Sequence, residues 1–135
     1  PQGPMGKLGA QVQVRTVEDS VEVPRVFLYQ TGLTRMHHPE RVQWLPGALA
    51  DHLTSFGGNL LATTGQMSAV DWLEAGATAS YGTVSEPCNH LQKFPHPQVL
   101  LLHYVQGATA IEAYWRSVAW PAQGVFVGEP LAAPF

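Results

Sequence analysis

The chain has 135 residues, the size of one ordinary domain, and 45% of them are hydrophobic, which excludes a disordered tail or a fibrous repeat. No run of about 18 consecutive apolar residues is present, so no membrane-spanning helix is predicted. A net charge of -3 with seven lysines and arginines argues against nucleic acid as the main partner, and the single cysteine, Cys88, excludes an internal disulfide framework and any zinc site built on several thiolates.

The first part of the chain predicts an arm followed by the beginning of a sheet. Residues 1–20 are interpreted as an N-terminal arm or linker, and residues 21–135 as one α/β domain. Within the arm, valines alternate with polar residues over 11–17 and indicate an exposed strand. An apolar run predicts another strand over 21–29, where Pro24 favours an edge position or a start after the proline. The following residues, up to Pro46, are predicted to be irregular.

The middle of the chain carries sharper signals. A strand is predicted over 47–54, ending in a turn that contains Gly57-Gly58. Ser68 and Asp71 have the spacing of a capping box and predict the start of a helix. Gly76 is expected to end that helix, because a helix C-terminus favours a residue that adopts the left-handed conformation. A strand of small residues follows over 77–84.

The last part predicts two helices and a strand. Pro97 suits the first turn of a helix that ends near Gly107, and Thr109 with Glu112 forms a second capping box. Residues at helical spacing on the second helix are predicted to lie in the core: Ile111, Tyr114, Trp115 and Val118. The short apolar segment 124–128 predicts a buried strand.

The order of these elements predicts an α/β fold. Strands alternate with helices, which is typical of a sheet whose strands are joined by crossover helices. Several strands are continuously apolar rather than alternating, which favours a mostly parallel sheet covered on both faces.

Asp51, His52 and Ser55 are the first candidate catalytic group. They lie at the carboxyl end of a predicted parallel strand, where ligands bind in open α/β sheets. A carboxylate and a hydroxyl beside an imidazole could orient a base and a nucleophile for acyl transfer. Neighbours on a strand point to opposite faces, however, so Asp51 and His52 share a cleft only if the strand has already ended. The alternative is a structural histidine at a strand end.

Cys88 is the second candidate. A nearby imidazole can lower the pKa of a thiol and make it a nucleophile, and His90 lies two residues away. Glu86, Asn89 and His90 are expected to line a cleft that this loop shares with the Asp51 loop. The alternative is a buried, inert thiol.

The histidines are the third signal. The chain has six, and His37-His38 lies close to Glu40, a combination that suits zinc, copper or iron. No HExxH or evenly spaced ligand set is present, so neither a metal site nor a cofactor is predicted.

The low charge of the chain points to a protein partner. Only 13% of residues are charged, against about 25% in an average soluble domain. So few charges suggest that part of the surface is covered, with Trp44 and Trp120 as candidate interface anchors. The first residue is Pro1 rather than Met, which we interpret as a processed chain or a piece of a longer protein.

Four segments of the chain resemble the C-terminal half of an uncharacterised family of bacterial secreted proteins. That family has a strand reading GAxAxHLxSF, then W…GAxxxxGxVxEP, then G…EAYW and finally GEPLxxPF or GDPLxxPF. The corresponding segments here are Gly47–Phe56, Trp72–Pro87, Gly107–Trp115 and Gly128–Phe135. The resemblance implies secretion or a periplasmic location.

More distantly, the order of elements resembles the second half of caspase-like domains, such as gingipain-type and separase-related peptidases. This resemblance implies a three-layer fold with a cysteine at the end of the strand before the first helix, and a partner histidine upstream. At the expected place this chain has Asp51, His52, Thr54 and Ser55 but no cysteine.

Two functions follow as expectations. The first is a non-catalytic caspase-like scaffold that serves as a structural or binding subunit of a secreted or periplasmic assembly. The alternative is the C-terminal half of a caspase-like peptidase whose catalytic base lies on an upstream segment of the same precursor. In either case the partner is expected to be a protein or that upstream half.

Overall fold

The computed structural model describes residues 14–17, 22–61, 65–86 and 90–135. Within these residues, four strands form one sheet in chain order, with the bounds β1 (Val23–Thr31), β2 (Val42–His52), β3 (Ala79–Thr83) and β4 (Gly124–Gly128). The first three strands are parallel to one another, and β4 runs antiparallel to β3. The prediction of an α/β class with a mostly parallel sheet is confirmed.

In the described part of the chain, three α-helices connect the strands, with the bounds α1 (Ala69–Ala75), α2 (Pro97–Val105) and α3 (Ala110–Ser117). α1 is the crossover from β2 to β3, and α2 and α3 join β3 to β4. Both predicted capping boxes are present, and Gly76 adopts a left-handed conformation with φ of 117° at the end of α1.

Two hydrophobic clusters form the core, one on each face of the sheet. Leu49 of β2 packs with Leu100 and Tyr104 of α2 and with residues of α3. Ala50, the next residue, belongs to the other cluster, which is centred on Trp72 of α1. This separation follows from the alternation of side chains along a strand. Helices therefore cover both faces of the sheet.

β2 begins earlier than its sequence predicts, at Val42 rather than at Gly47. Pro46 and Gly47 lie inside it, where the pairing with β1 jumps between Val26–Trp44 and Leu28–Leu49. Gly47 has φ of 84° at this irregularity, and the Tyr104 hydroxyl donates to its carbonyl oxygen at 2.9 Å. A proline argues against a central strand in sequence, which is why the first part of β2 was predicted to be irregular.

Three further predictions need correction. Ile111 and Trp115 are 40% and 64% exposed, because α3 packs through its alanines and Tyr114 instead. β4 is a partly exposed, antiparallel edge strand rather than a buried one. Residues 14–17 have no regular structure, and the rest of the strand predicted over 11–17 lies outside the described residues. The early strand is confirmed as β1, at an edge of the sheet.

The segment after β4 folds back over α3 and β1. The carbonyl oxygens of Pro130 and Ala132 accept hydrogen bonds from the amides of Ile111 and Ala110, at 3.1 and 2.8 Å. These are two of the amides that the start of a helix leaves without intrahelical partners. The Phe135 ring packs against Phe27 of β1 and Tyr104 of α2.

Candidate functional site

The predicted residues Asp51, His52 and Ser55 lie at the carboxyl edge of the sheet, at the end of β2 and in the turn that follows. All three are buried, with exposed fractions of 0%, 1% and 2%. The carboxyl edge is therefore closed at this point, and solvent does not reach these side chains.

Both ring nitrogens of His52 are engaged inside the core. The Trp72 indole N–H donates to Nδ1 at 2.9 Å, and Nε2 lies at the carbonyl oxygen of Met67. Since Nδ1 accepts, the proton of the neutral ring must be on Nε2, which then donates to Met67. Burial lowers the pKa of His52, so the neutral ring is favoured. No lone pair remains for a substrate proton in this arrangement.

Local sequence explains the position of this histidine. The capping box of Ser68 and Asp71 fixes the start of α1, and one turn into that helix Trp72 faces β2. Gly57 lies against the other side of the ring, where a Cβ atom would be 2.7 Å from Nε2 of His52. The ring is thus held between a helix and a glycine of the turn.

Asp51 points to the opposite face and binds three neutral donors. Its Oδ1 accepts from the Tyr81 backbone N–H at 2.9 Å and from the Tyr114 hydroxyl at 3.0 Å. Its Oδ2 accepts from Nε2 of Gln30 at 3.2 Å, and that amide also donates to the Pro95 carbonyl oxygen at 3.2 Å. The carboxyl thereby joins β1, β2, β3 and α3.

Burial dominates the electrostatics of this group. It raises the pKa of Asp51 to about 7, although the hydrogen bonds from Tyr81, Gln30 and Tyr114 act to lower it. Burial, together with the neighbouring Asp51, also raises the pKa of the Tyr114 hydroxyl well above its ordinary value.

The turn after β2 fits against the end of β3 through backbone contacts. The Thr83 hydroxyl lies 2.6 Å from the carbonyl oxygen of Thr54 and 3.0 Å from that of Ser55. Gly58 donates its N–H to the Thr83 carbonyl oxygen at 2.9 Å. A Cβ atom on Gly82 would overlap the backbone of Gly58. This close approach seals the floor of the predicted cleft.

The structure therefore does not bring the first candidate group together as a catalytic set. Asp51 and His52 bind partners on opposite faces, as the strand alternation predicts, and their partners are a hydroxyl of α3 and an indole of α1. Gln30 and the hydrogen-bonding roles of Trp72 and Tyr114 are not predicted by the sequence. No local pattern reveals them, because these pairs are distant in the chain.

The second candidate group is only partly described. Glu86 and His90 are both exposed and follow β3, and the His90 ring packs on Trp120 with 5.3 Å between ring centroids. Cys88 and Asn89 lie outside the described residues, so the role predicted for Cys88 stays a prediction. Lys93, which the sequence analysis did not single out, is buried, and its Nζ donates to the Ser85 carbonyl oxygen.

His37 and His38, the histidine pair near Glu40, lie in the segment that precedes β2. His38 Nδ1 lies 3.1 Å from a carboxylate oxygen of Glu40. Within the described residues, no group of three or more His, Cys, Asp or Glu side chains has the geometry to hold a metal ion.

Two surface features complete the description. A shallow groove of about 440 Å³ lies at the opposite edge, between Gly47, Thr78 and the segment that follows β4. Trp44, a predicted interface anchor, is partly buried and packs against Tyr29 and Trp72, whereas Trp120 is 40% exposed.

Comparison with protein-family models, with curated proteins and with solved structures gave no match. The resemblance to caspase-like domains accordingly stays a prediction. Among the described residues, no helix combines the length and the apolar composition that a membrane span requires.

Proposed function

We propose that this chain is a non-catalytic scaffold of the caspase-like type that serves as a binding or structural subunit of a secreted or periplasmic assembly. The main support for this proposal is that the His52 ring is buried and has no free nitrogen. A general base must reach the proton that it abstracts, and this ring is 1% exposed with both nitrogens engaged.

The exposed apolar side chains support a protein partner. Leu61 and Leu91 are 100% and 82% exposed in loops that follow β2 and β3, at the carboxyl edge of the sheet. Trp120 lies beside Leu91's loop, because its amide donates to the Gln92 carbonyl oxygen at 2.9 Å. Tryptophan and leucine side chains lose unfavourable contact with water when a partner covers them.

The test is the assembly state of the protein isolated under mild conditions from its source. Native mass spectrometry is expected to give a complex heavier than the 14.7 kDa chain, with a second protein in fixed stoichiometry. Trp120→Ala is expected to dissociate that complex and leave the fold intact. Leu131→Ala is the matched control, since Leu131 is 77% exposed at the opposite edge. A monodisperse monomer from the source would overturn the proposal.

The alternative is the C-terminal half of a caspase-like peptidase. Its support is that Glu86 and His90 are exposed at the carboxyl edge, the side on which open α/β sheets bind ligands, with Cys88 between them in sequence. Peptide hydrolysis by the complete assembly that Cys88→Ser abolishes, and Ser55→Ala leaves unchanged, would favour the peptidase. Absence of hydrolysis in an intact wild-type assembly would favour the scaffold.

A further inference from the structure

Asp51 is a fully buried carboxyl whose hydrogen-bond donors are all neutral. Burying a carboxylate without a cation is costly, and such a group takes up a proton more readily than an exposed one. Among the described residues, no Lys, Arg or His forms an ion pair with it.

The titratable groups that face Asp51 from the surrounding elements are tyrosines. Tyr114 comes from α3 and bonds the carboxyl directly. Tyr81 of β3 contributes its amide, while its hydroxyl donates to the Pro121 carbonyl oxygen at 3.0 Å. Tyr104 of α2 directs its hydroxyl to Gly47. β1 contributes Gln30, which does not titrate. Burial raises the pKa of Tyr81 and of Tyr104 to about 12, so all three rings are neutral near pH 7.

The Tyr114 hydroxyl has two acceptors within reach. Asp51 Oδ1 is 3.0 Å away and the Ala79 carbonyl oxygen is 3.5 Å away. A hydroxyl has one proton to donate and two lone pairs with which to accept. It can therefore donate to a carboxylate, or accept from a carboxylic acid while it donates to Ala79.

We propose that Asp51 is a buried proton-uptake site at which one solvent proton reverses the Asp51–Tyr114 hydrogen bond and turns the Tyr114 hydroxyl toward Ala79. One O–H bond forms on the carboxylate as one O–H bond of a hydronium ion breaks and releases water, and no other covalent bond of the protein changes. In the ionised form Tyr114 donates to Oδ1. In the neutral form Oδ1–H donates to the Tyr114 oxygen, and Tyr114 donates to the Ala79 carbonyl oxygen.

Protonation of Asp51 also changes the hydrogen bonds that hold the segment before α2. Gln30 binds both Asp51 Oδ2 and the Pro95 carbonyl oxygen, so it ties that segment to the carboxyl. Hydrogen bonds to a charged acceptor are stronger than those to a neutral one. Protonation thus weakens the link through Gln30 to Pro95 and strengthens the link from α3 to β3. The fold in this way converts a change of pH near neutrality into a change in which elements are held most firmly.

The experiment is heteronuclear NMR of the wild-type protein between about pH 4 and pH 9, following the Asp51 carboxyl carbon and the Tyr114 ring carbon bonded to oxygen. The Asp51 signal is expected to titrate with a midpoint near the raised pKa of about 7. The Tyr114 signal is expected to move with the same midpoint. The carboxyl of Glu112 is an internal reference. Hydrogen bonds from Thr109 lower its pKa, so its signal is expected to titrate at a lower pH than the signal of Asp51.

Matched variants separate this mechanism from general effects of burial. Tyr114→Phe removes a donor to the carboxylate and is expected to shift the Asp51 midpoint upward. Tyr104→Phe removes a hydroxyl that does not touch Asp51 and is expected to leave the midpoint unchanged. A midpoint near the ordinary value of about 4 would overturn the proposal, as would a Tyr114 signal that does not follow Asp51. Both readouts come from the wild-type protein, so they decide the matter even where a variant fails to fold.

Discussion

Asp51 and His52 are adjacent in sequence, yet their side chains bind helices on opposite faces of the sheet. The Asp51 carboxyl accepts a hydrogen bond from the Tyr114 hydroxyl of α3. The His52 ring accepts one from the Trp72 indole N–H of α1. Two polar residues at the end of one strand therefore fasten the two outer helical layers to the same central strand. This arrangement uses both residues as structural links, and several variants can test it.

Trp72→Phe is expected to destabilise the protein by at least about 1–3 kcal/mol, because it leaves the buried Nδ1 of His52 without a donor. Loss of ring volume in the core adds to this cost. The measurement is urea unfolding. Trp115→Phe is the control, since Trp115 is 64% exposed, and its effect is expected to stay within about 0.5 kcal/mol. Equal effects of the two variants would contradict the assigned role of Trp72.

His52 is expected to make the protein less stable in mild acid. Burial lowers its pKa in the folded state, so the unfolded chain binds a proton first as the pH falls below about 6.5. The contribution of His52 is complete above that pH and is lost below it. The difference in urea midpoint between the wild type and His52→Gln is expected to shrink as the pH falls from about 8 to about 5, because only the wild type loses this contribution. His96→Gln, at an exposed position, is expected to retain the wild-type slope.

Asp51 is expected to change the pH dependence of stability in the opposite direction to His52. Its folded-state pKa of about 7 lies above the ordinary value of 3.8, so the folded state binds the proton more tightly than the unfolded chain does. Its contribution to stability is complete below the lower value and is lost as the pH rises toward 7. The His52→Gln variant lacks the opposing contribution of the histidine. Its urea midpoint is therefore expected to fall as the pH rises from about 5 to about 8. Midpoints in that variant that rise over the same range would contradict the raised pKa.

Gly82→Ala is expected to cost at least about 1–3 kcal/mol, because its Cβ would overlap the backbone of Gly58 rather than a movable side chain. Thermal unfolding measures the loss. Gly32→Ala is the matched control, since a Cβ at Gly32 meets nothing within 4 Å. The control is expected to be neutral or slightly stabilising. A tolerated alanine at Gly82 would mean that the turn and β3 are not in close contact.

Thr109→Ala is expected to cost about 1 kcal/mol through loss of the N-cap of α3. The Thr109 hydroxyl lies 3.4 Å from the Glu112 amide, which would lose its acceptor. Hydrogen exchange of that amide is expected to accelerate more than exchange at the start of α1, whose own capping box is untouched. Thr34→Ala, at an exposed position outside the helices, serves as the control.

Local signals in the sequence predicted the parts of the fold that depend on near neighbours. The helix starts at Ser68 and Thr109 follow from contacts three residues apart, and Gly76 ends α1 as expected. β1 at an edge and the mostly parallel sheet also follow from composition and order. These features need no knowledge of distant contacts.

Distant contacts decided what the sequence did not reveal. His52 is bonded to groups 15 and 20 residues away, and Asp51 to groups 30 and 63 residues away. The exposure of Trp115 likewise depends on which side of α3 meets the sheet, and alanines occupy that side. A catalytic pattern in the sequence and a structural one are therefore indistinguishable until these long-range partners are known.

The segment after β4 has a practical consequence for anyone handling this protein. Because Pro130 and Ala132 supply acceptors to the first amides of α3, and Phe135 packs on β1 and α2, this segment is tied to the domain although most of its side chains are exposed. A bulky group attached at Phe135 itself would disturb the packing of its ring on Phe27 and Tyr104. Trimming by a protease back to Glu129 would leave two helix amides without acceptors. Labels and surface attachments belong elsewhere, for example at the exposed side of α3 around Trp115.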